Sequence, residues 1–269
     1  MTCMNRLAAT LAVVATVSLM AGCVSIHQQD GRLIAAYHFD DGSACDSSGT
    51  GNHGLVHDAE PALDRRARPN RAMAFNGQNA WIELPNNPVY DTLSEITLAL
   101  WICPQKGPDN KAVAGTLISK QPSGSLSTSH RPESSNHGGL FDLSLCLHED
   151  ALKLYFCTQV SPHMCSEGHA ARMASLTYGT WHHIAITATR DQNHVSFYVN
   201  GKKVDDLIYS EHTHVGHILS QPNQEPIRIG KRKDADFIPT LHFLGRMDEI
   251  LIYNRALSAQ EIKQIYKAR

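Results

Sequence analysis

The apolar positions of this chain fall in short runs with a period of two. SEITLALWIC (94–103), GLFDLSLCLH (139–148), ALKLYFCT (151–158), WHHIAITATR (181–190) and HVSFYVN (194–200) alternate or run apolar over five to nine residues. They are rich in β-branched and aromatic residues and are bounded by Gly, Pro, Asn or Asp, which predicts β-strands. Val195, Phe197 and Val199 share one face of their strand, and Ser196, Tyr198 and Asn200 share the other. Asn200-Gly201 follows; both residues tolerate positive φ, so a type I′ hairpin turn is expected there. His148-Glu149-Asp150 predicts a similar corner. One segment has a helical period instead. Ser258-Ala259-Gln260-Glu261 reads as a capping box, with Leu257 and Ile262 where a hydrophobic staple would sit. Ile262, Ile265 and Tyr266 then form an apolar stripe that packs on a sheet. Many strands, one terminal helix and no β–α alternation predict an all-β sandwich. Two polar segments break the even spacing, 121–139 and 161–175, and loops of that length are usually functional or disordered.

The start of the chain has a different pattern. MTCMNR supplies a short positive head, and Leu7–Ala21 is a 15-residue apolar run. Such a run is too short to span a bilayer comfortably and suits the core of an export signal. Met20-Ala21-Gly22-Cys23 resembles a bacterial lipobox, with Met20 where Leu is usual. That implies a leader over residues 1–22, a tether over 23–30 that begins at a lipidated Cys23, and one domain over 31–269. The plainer alternative is a secretory peptide cleaved near Gly22. With lipidation, the chain is anchored in the cell envelope, and the absence of Asp after Cys23 points to the outer membrane of a Gram-negative cell. Diacylglycerol and an N-acyl chain together anchor stably.

Export changes the view of the cysteines. Of seven, Cys3 and Cys23 belong to the leader and the anchor, leaving Cys45, Cys103, Cys146, Cys157 and Cys165. The number is odd, so at least one is unpaired within the chain. Cys157 and Cys165 flank a short loop, and a disulfide there would stabilise by roughly 2.5 kcal/mol; small buried thiols are the alternative. Net charge excludes one class of partner. The chain carries −2 overall, without the basic stripe that nucleic-acid binding needs.

Five stretches carry a resemblance: AYHFDDGSACDSSGTGNHG, RPNRAMAFNGQNAWIELP, ITLALWICP, WHHIAITATRDQNHVSFYVNGKKV and GRMDEILIYNRALSAQEI. In this order they resemble an opening strand and polar loop, a second hairpin, a central Trp strand, a hairpin with an Asn-Gly turn, and a closing strand and helix. These are the parts of the laminin-G-like, concanavalin A-like jelly-roll domains in their bacterial secreted form. The match runs from Leu33 to Tyr266 and implies the fold; this sandwich hosts lectins, adhesive modules and enzymes alike. In many such domains the polar loop and the closing-strand acid meet at one rim and bind calcium. The resemblance therefore implies a structural calcium ion held by Asp46, Asn52 and Asp248. Calcium takes six to eight oxygens, and Gly49, Gly51 and Gly54 let the backbone turn its carbonyls inward. Asp40 and Asp41 are alternative acids. A metal-free loop held by Asx-turns and Ser hydroxyls is the alternative structure.

Other chemistry fares worse. His212, His214 and His217, and His163, Cys165 and His169, lack any zinc-finger or protease spacing. His182 and His183 must point to opposite faces of their strand and are expected to be structural. Glycosidases need a carboxylate pair at short range; Asp234 and Asp236 have the spacing but read as a solvated corner. Trp101 and Trp181 match core positions of the family, and Trp81 is expected to be core more than platform. No enzyme is expected. The chain reads as an envelope-anchored recognition module for glycans or a cell-surface protein, with a polysaccharide-cleaving enzyme or a structural envelope lipoprotein as rivals.

Overall fold

The computed structural model describes residues 32–121, 140–148, 151–157, 159–161, 164–165, 169–170, 175–208, 219, 223–233 and 242–268; at 148, 159–161, 164–165, 169–170 and 207–208 it describes backbone only. The strands are β1 (Leu33–Tyr37), β2 (Leu55–His57), β3 (Glu60–Ala62), β4 (Ala72–Asn76), β5 (Trp81–Leu84), β6 (Glu95–Pro104), β7 (Gly115–Lys120), β8 (Phe141–His148) and β9 (Ala151–Cys157). They continue as β10 (Gln159–Ser161), β11 (Met164–Cys165), β12 (His169–Ala170), β13 (His182–Thr189), β14 (His194–Val199), β15 (Lys202–Ile208), β16 (Ile227–Ile229) and β17 (Leu244–Tyr253), before the helix α1 (Ala259–Ala268).

An eight-stranded sheet runs β15-β14-β13-β6-β17-β4-β3, with β1 added on β17, and a seven-stranded sheet runs β12-β9-β8-β7-β16-β5-β2. Alternation explains how they stack. Ile96, Leu98, Leu100 and Ile102 of β6 and Ile184 and Ile186 of β13 point inward. They meet Ile82, Leu84, Leu143, Leu154 and Phe156 of the other sheet in one buried cluster. Each such side chain contributes about 1.5–3 kcal/mol on full burial. The result is the expected jelly-roll sandwich. β13, β14 and β15 form a meander, in which Asn200 and Gly201 make the expected Asn-Gly turn at φ 50° and 72°. A Cβ at Gly201 would sit 2.8 Å from the Tyr266 ring, so the turn also lets α1 come close.

One expectation fails. The stretch 68–85 is not a hairpin: β4 pairs with β17 and β3, whereas β5 pairs with β16 and β2. The turn at Gly77-Gln78-Asn79 carries the chain from one sheet to the other, held by the Asn76 carboxamide accepting from the N–H groups of Gln78, Asn79 and Ala80.

The outer faces of the two sheets differ. That of the eight-stranded sheet carries an apolar patch sealed by α1: Ala36, Ala99, Ala185, Tyr198, Leu251 and Tyr253 pack with Leu257, Ile262 and Ile265. Thr97 docks the helix, its hydroxyl donating to the Arg255 carbonyl and accepting from the Leu257 N–H. The capping box forms as expected. The Glu261 N–H donates to Ser258 Oγ (3.3 Å), and the Ser258 N–H donates back to Glu261 Oε2 (2.8 Å). The outer face of the seven-stranded sheet is polar. One ladder row joins Glu83, Arg228, Ser119, Asp142 and Cys157, and the next joins Thr116, Ser144 and Tyr155.

Candidate functional site

The polar loop folds around one carboxylate. Asp46 is 9% exposed. Its Oδ1 accepts the N–H groups of Ala36 and Ser48, both at 2.9 Å. Its Oδ2 accepts the Asn52 N–H at 3.0 Å and the Ser48 hydroxyl at 2.8 Å, with the Thr50 hydroxyl at 3.1 Å. Burial pushes the Asp46 pKa up, but the bonds from Ser48, Ala36 and Asn52 outweigh it and the net shift is downward. Asn52 is equally engaged. Its Nδ2 donates to the Ile34 carbonyl, its Oδ1 accepts from Asn87 Nδ2, and its own carbonyl accepts the Tyr37 hydroxyl. His53 takes the Asp46 N–H on Nδ1.

Asp248 has other partners. It lies on β17 opposite Trp101 of β6, 1% exposed. Its Oδ2 is 3.6 Å from Arg65 Nη1, and its Oδ1 accepts the Glu249 N–H. Burial foremost, then the Glu249 charge, pushes its pKa up to about 8 against the pull of Arg65. Here β17 exchanges β4 for β1 along one edge through a bulge, with Glu249 at φ 52° and its carboxylate on His38. So the structure brings Asp46 and Asn52 together, while among the described residues Asp248 shares no hydrogen-bond partner with either. Asp40 and Asp41 are also engaged, with Arg71 and Ser43. Among the described residues, no three His, Cys, Asp or Glu side chains gather as a metal-binding group. As arranged, the donor set does not fit a calcium ion, because its side-chain oxygens already face the chain's own N–H and O–H groups.

The tryptophans correct a second expectation. Trp101 and Trp181 belong to neither buried apolar cluster; both are half-buried on the outer face of the eight-stranded sheet. Arg65 lies 4.5 Å over Trp101, whose ring also stacks on Tyr266, and Arg246 lies 5.3 Å over Trp181. Trp81 is half-buried too, flanked by the His57 ring at 4.1 Å and by Lys231 Nζ at 4.4 Å. Cation and aromatic neighbours thus cover ring faces that a sugar would use.

The polar face of the seven-stranded sheet was not foreseen. Asp142, fully buried, bonds the Ser144 hydroxyl and lies 3.0 Å from Arg232 Nε. Burial raises its pKa, opposed by Arg232. Arg228 bonds Glu225 at 3.0 Å and the Gln121 carbonyl. Glu225 is held in turn by Lys120, which is buried in the rim. Its ammonium donates to Asn86 Oδ1 (2.7 Å) and to the carbonyls of Asn223 (2.8 Å) and Glu225 (2.6 Å). All three of its N–H bonds are satisfied, and burial lowers its pKa to about 8. Lys120 so sets the segment that delivers Arg228. Around these buried groups stand the partly exposed His57, Trp81, Glu83, Ser144, Lys153 and Tyr155. Glu83 and Asp142 are three strands apart in one row, so ~14 Å separates their backbones at ~4.8 Å per strand; a glycosidase pair needs ~5–9.5 Å.

Several expected residues lie outside the described residues: Cys23, Asp234, Asp236, and the side chains of Cys165, His163, His169, His212, His214 and His217. In backbone terms Cys157 is opposite Asp142, and Cys165 is opposite Gln159. His182 accepts the Thr177 N–H, and His183 packs against Trp101 and Tyr266 on the other face.

Comparison with solved structures finds this architecture in several other proteins. Domain 4 of AbnA, a GH43 extracellular arabinanase from Geobacillus stearothermophilus solved with arabinotriose, aligns with TM-score 0.57 and 18% identity over 87% of this chain and 98% of that one. The binding domain of Paraclostridial Mosquitocidal Protein 1 aligns with TM-score 0.62 and 18% identity over 87% of this chain and 52% of the other. The botulinum neurotoxin DC binding domain, solved with rat synaptotagmin II, gives 0.59 and 12% over 90% and 52%. The chain thus spans about half the length of the two toxin chains. At these identities the likeness is one of fold. No curated protein matches the chain. The family model described as the concanavalin A-like lectin/glucanases superfamily matches residues 76–263. The chain belongs to the concanavalin A-like lectin/glucanase superfamily.

Proposed function

We propose that this protein is a non-catalytic recognition module that holds an extended glycan against the outer face of its seven-stranded sheet. The observation that carries this reading is the asymmetry of the two outer faces. One carries an apolar patch covered by α1; the other offers a polar row across β5, β16, β7 and β8 with Glu83, Arg228, Ser119 and Asp142. Sugar hydroxyls both donate and accept, and the partly exposed side chains in and around this row offer a carboxylate (Glu83), an ammonium (Lys153) and hydroxyls (Ser144, Tyr155). Contact falls to the partly exposed His57, Glu83, Ser144, Lys153 and Tyr155, with the buried members as a rigid floor. The AbnA domain, solved with arabinotriose, supports a glycan as ligand. Export and a lipid on Cys23 would present the module at the cell envelope. Replacing Cys23 with Ser should release the protein from membranes and lower its mass by the lipid.

The test is a glycan array of the purified protein, with reducing-end release measured on every hit. Binding without release, weakened about tenfold in Glu83→Ala and Tyr155→Ala at unchanged Tm, supports the module. Release of reducing ends overturns it in favour of an enzyme. An array without hits, together with a crosslinked protein partner, overturns it in favour of protein adhesion.

A further inference from the structure

The Asp46 loop poses a question of valence. A carboxylate offers about four lone-pair sites. Asp46 meets three backbone N–H groups, from Ala36, Ser48 and Asn52, and the Ser48 hydroxyl, all within 3.0 Å. Backbone N–H groups cannot be turned away by a rotamer change, so a cation at Asp46 would confront three fixed donors. Asn52 is engaged as well: Asn87 Nδ2 donates to its Oδ1 and the Tyr37 hydroxyl to its carbonyl. The third acid, Asp248, is engaged with Arg65 and the Glu249 N–H.

The same bonds already tie the rim together. Asp46 and Asn52 hold Ala36 and Ile34 of β1, in the eight-stranded sheet. Asn52 holds Asn87, which follows β5 of the seven-stranded sheet and caps the short 3₁₀ turn Pro88–Thr92 through the Val89 N–H. A polar clasp thus joins the two sheets at the rim, where the family resemblance implies a metal.

We propose that this loop closes without calcium, the chain's own N–H and O–H donors replacing the ion, so that its stability is independent of divalent cations. The test is thermal unfolding of the purified protein in millimolar calcium and in excess EDTA, with calorimetric titration of calcium chloride. Superimposable melts and no saturable heat are expected. Asp46→Asn puts an amide N–H where donors converge, and should lower Tm by about 5–10 °C, equally in calcium and in EDTA. Ser48→Ala, which removes one donor and leaves the carboxylate, should give a smaller loss and keep the variant folded, again without calcium dependence. A calcium-induced rise in the wild-type Tm that disappears in Ser48→Ala or Asp46→Asn would overturn the proposal. The outcome is independent of the glycan reading, because none of these residues lies on the seven-stranded sheet's outer face.

Discussion

The outer faces of the two sheets solve opposite problems with the same backbone geometry. On the eight-stranded sheet the outward positions of β6 are Thr97, Ala99, Trp101 and Cys103, and α1 lies across the first of them. On the seven-stranded sheet the outward positions of β8 are Asp142, Ser144 and Cys146, and no described helix covers them. A sheet face that is apolar must be covered; a face that is polar and ordered by its own ion pairs can stand ready for a ligand. The difference teaches where to look for function in a sandwich: around the polar row, where Glu83, Ser144, Lys153 and Tyr155 stay partly exposed.

The contrast breaks most directly at Ile262, fully buried between α1 and the sheet. Ile262→Ala should cost about 2–4 kcal/mol, read as a shift of the urea midpoint, and should leave glycan binding by the folded fraction unchanged. Glu83→Ala, at a partly exposed position of the polar face, should stay within about 0.5 kcal/mol of wild type while binding falls. If Ile262→Ala costs no more than Glu83→Ala, α1 does not seal its face.

His183 sharpens the same contrast. It is a polar group within the sealed face, 1% exposed, and neither ring nitrogen has a hydrogen-bond partner. Burial, and then the Arg65 charge, lowers its pKa to about 3. The unfolded chain binds this proton below about pH 6.5, and the folded one only near pH 3, so protonation favours unfolding as pH falls through that window. His183→Phe removes both the unsatisfied nitrogens and the titration. It should raise stability by about 1–2 kcal/mol at pH 7, and by more at pH 5. A loss of stability at pH 7, or a gain that does not grow at pH 5, would mean that the ring nitrogens have partners in solution.

What the sequence made legible was local. The capping box, the Asn200-Gly201 turn and the inward alternation of β14 depend on neighbours within four residues, and all appear as expected. The family resemblance placed the strands in order. Four things escaped. Trp101 and Trp181 read as core because β6 is apolar at both parities, which hides which side faces the other sheet; Thr97, the one hydroxyl in the outward set, was the signal that this side docks something else. The 68–85 stretch read as a hairpin because a tight turn looks alike whether it joins paired strands or crosses between sheets. The polar row of Glu83, Arg228, Ser119 and Asp142 joins positions far apart along the chain, and register across such distances is set by tertiary packing. Asp248 was paired with the polar loop by resemblance alone; strand order puts it beside Trp101 and Arg65 instead.

The smallest effect concerns the cap that fixes α1 over its face. Glu261 accepts the Ser258 N–H and hydroxyl, both at 2.8 Å, and both Nη groups of Arg255. The Arg255 bonds foremost, then the Ser258 bonds, outweigh burial and lower its pKa from 4.5 to about 2. A depressed acid contributes stability that is present above its unfolded value and lost as pH falls through the folded one. The window here is about pH 4.5 to 2. The side chain is 36% exposed, so screening reduces the charge part, and a capping interaction is worth about 1 kcal/mol. Glu261→Gln keeps an oxygen for the Ser258 N–H but loses the charge facing Arg255. It should therefore cost about 0.5–1 kcal/mol at pH 7, with the difference from wild type shrinking to nothing as pH approaches 2. Ser258→Ala removes the hydroxyl that accepts the Glu261 N–H and should cost a similar amount, but its cost should persist at low pH. A Glu261→Gln penalty unchanged between pH 7 and pH 2, in matched denaturant titrations, would show that the carboxylate acts by shape and not by charge. The seal on the eight-stranded sheet would then owe nothing to the Arg255 ion pair.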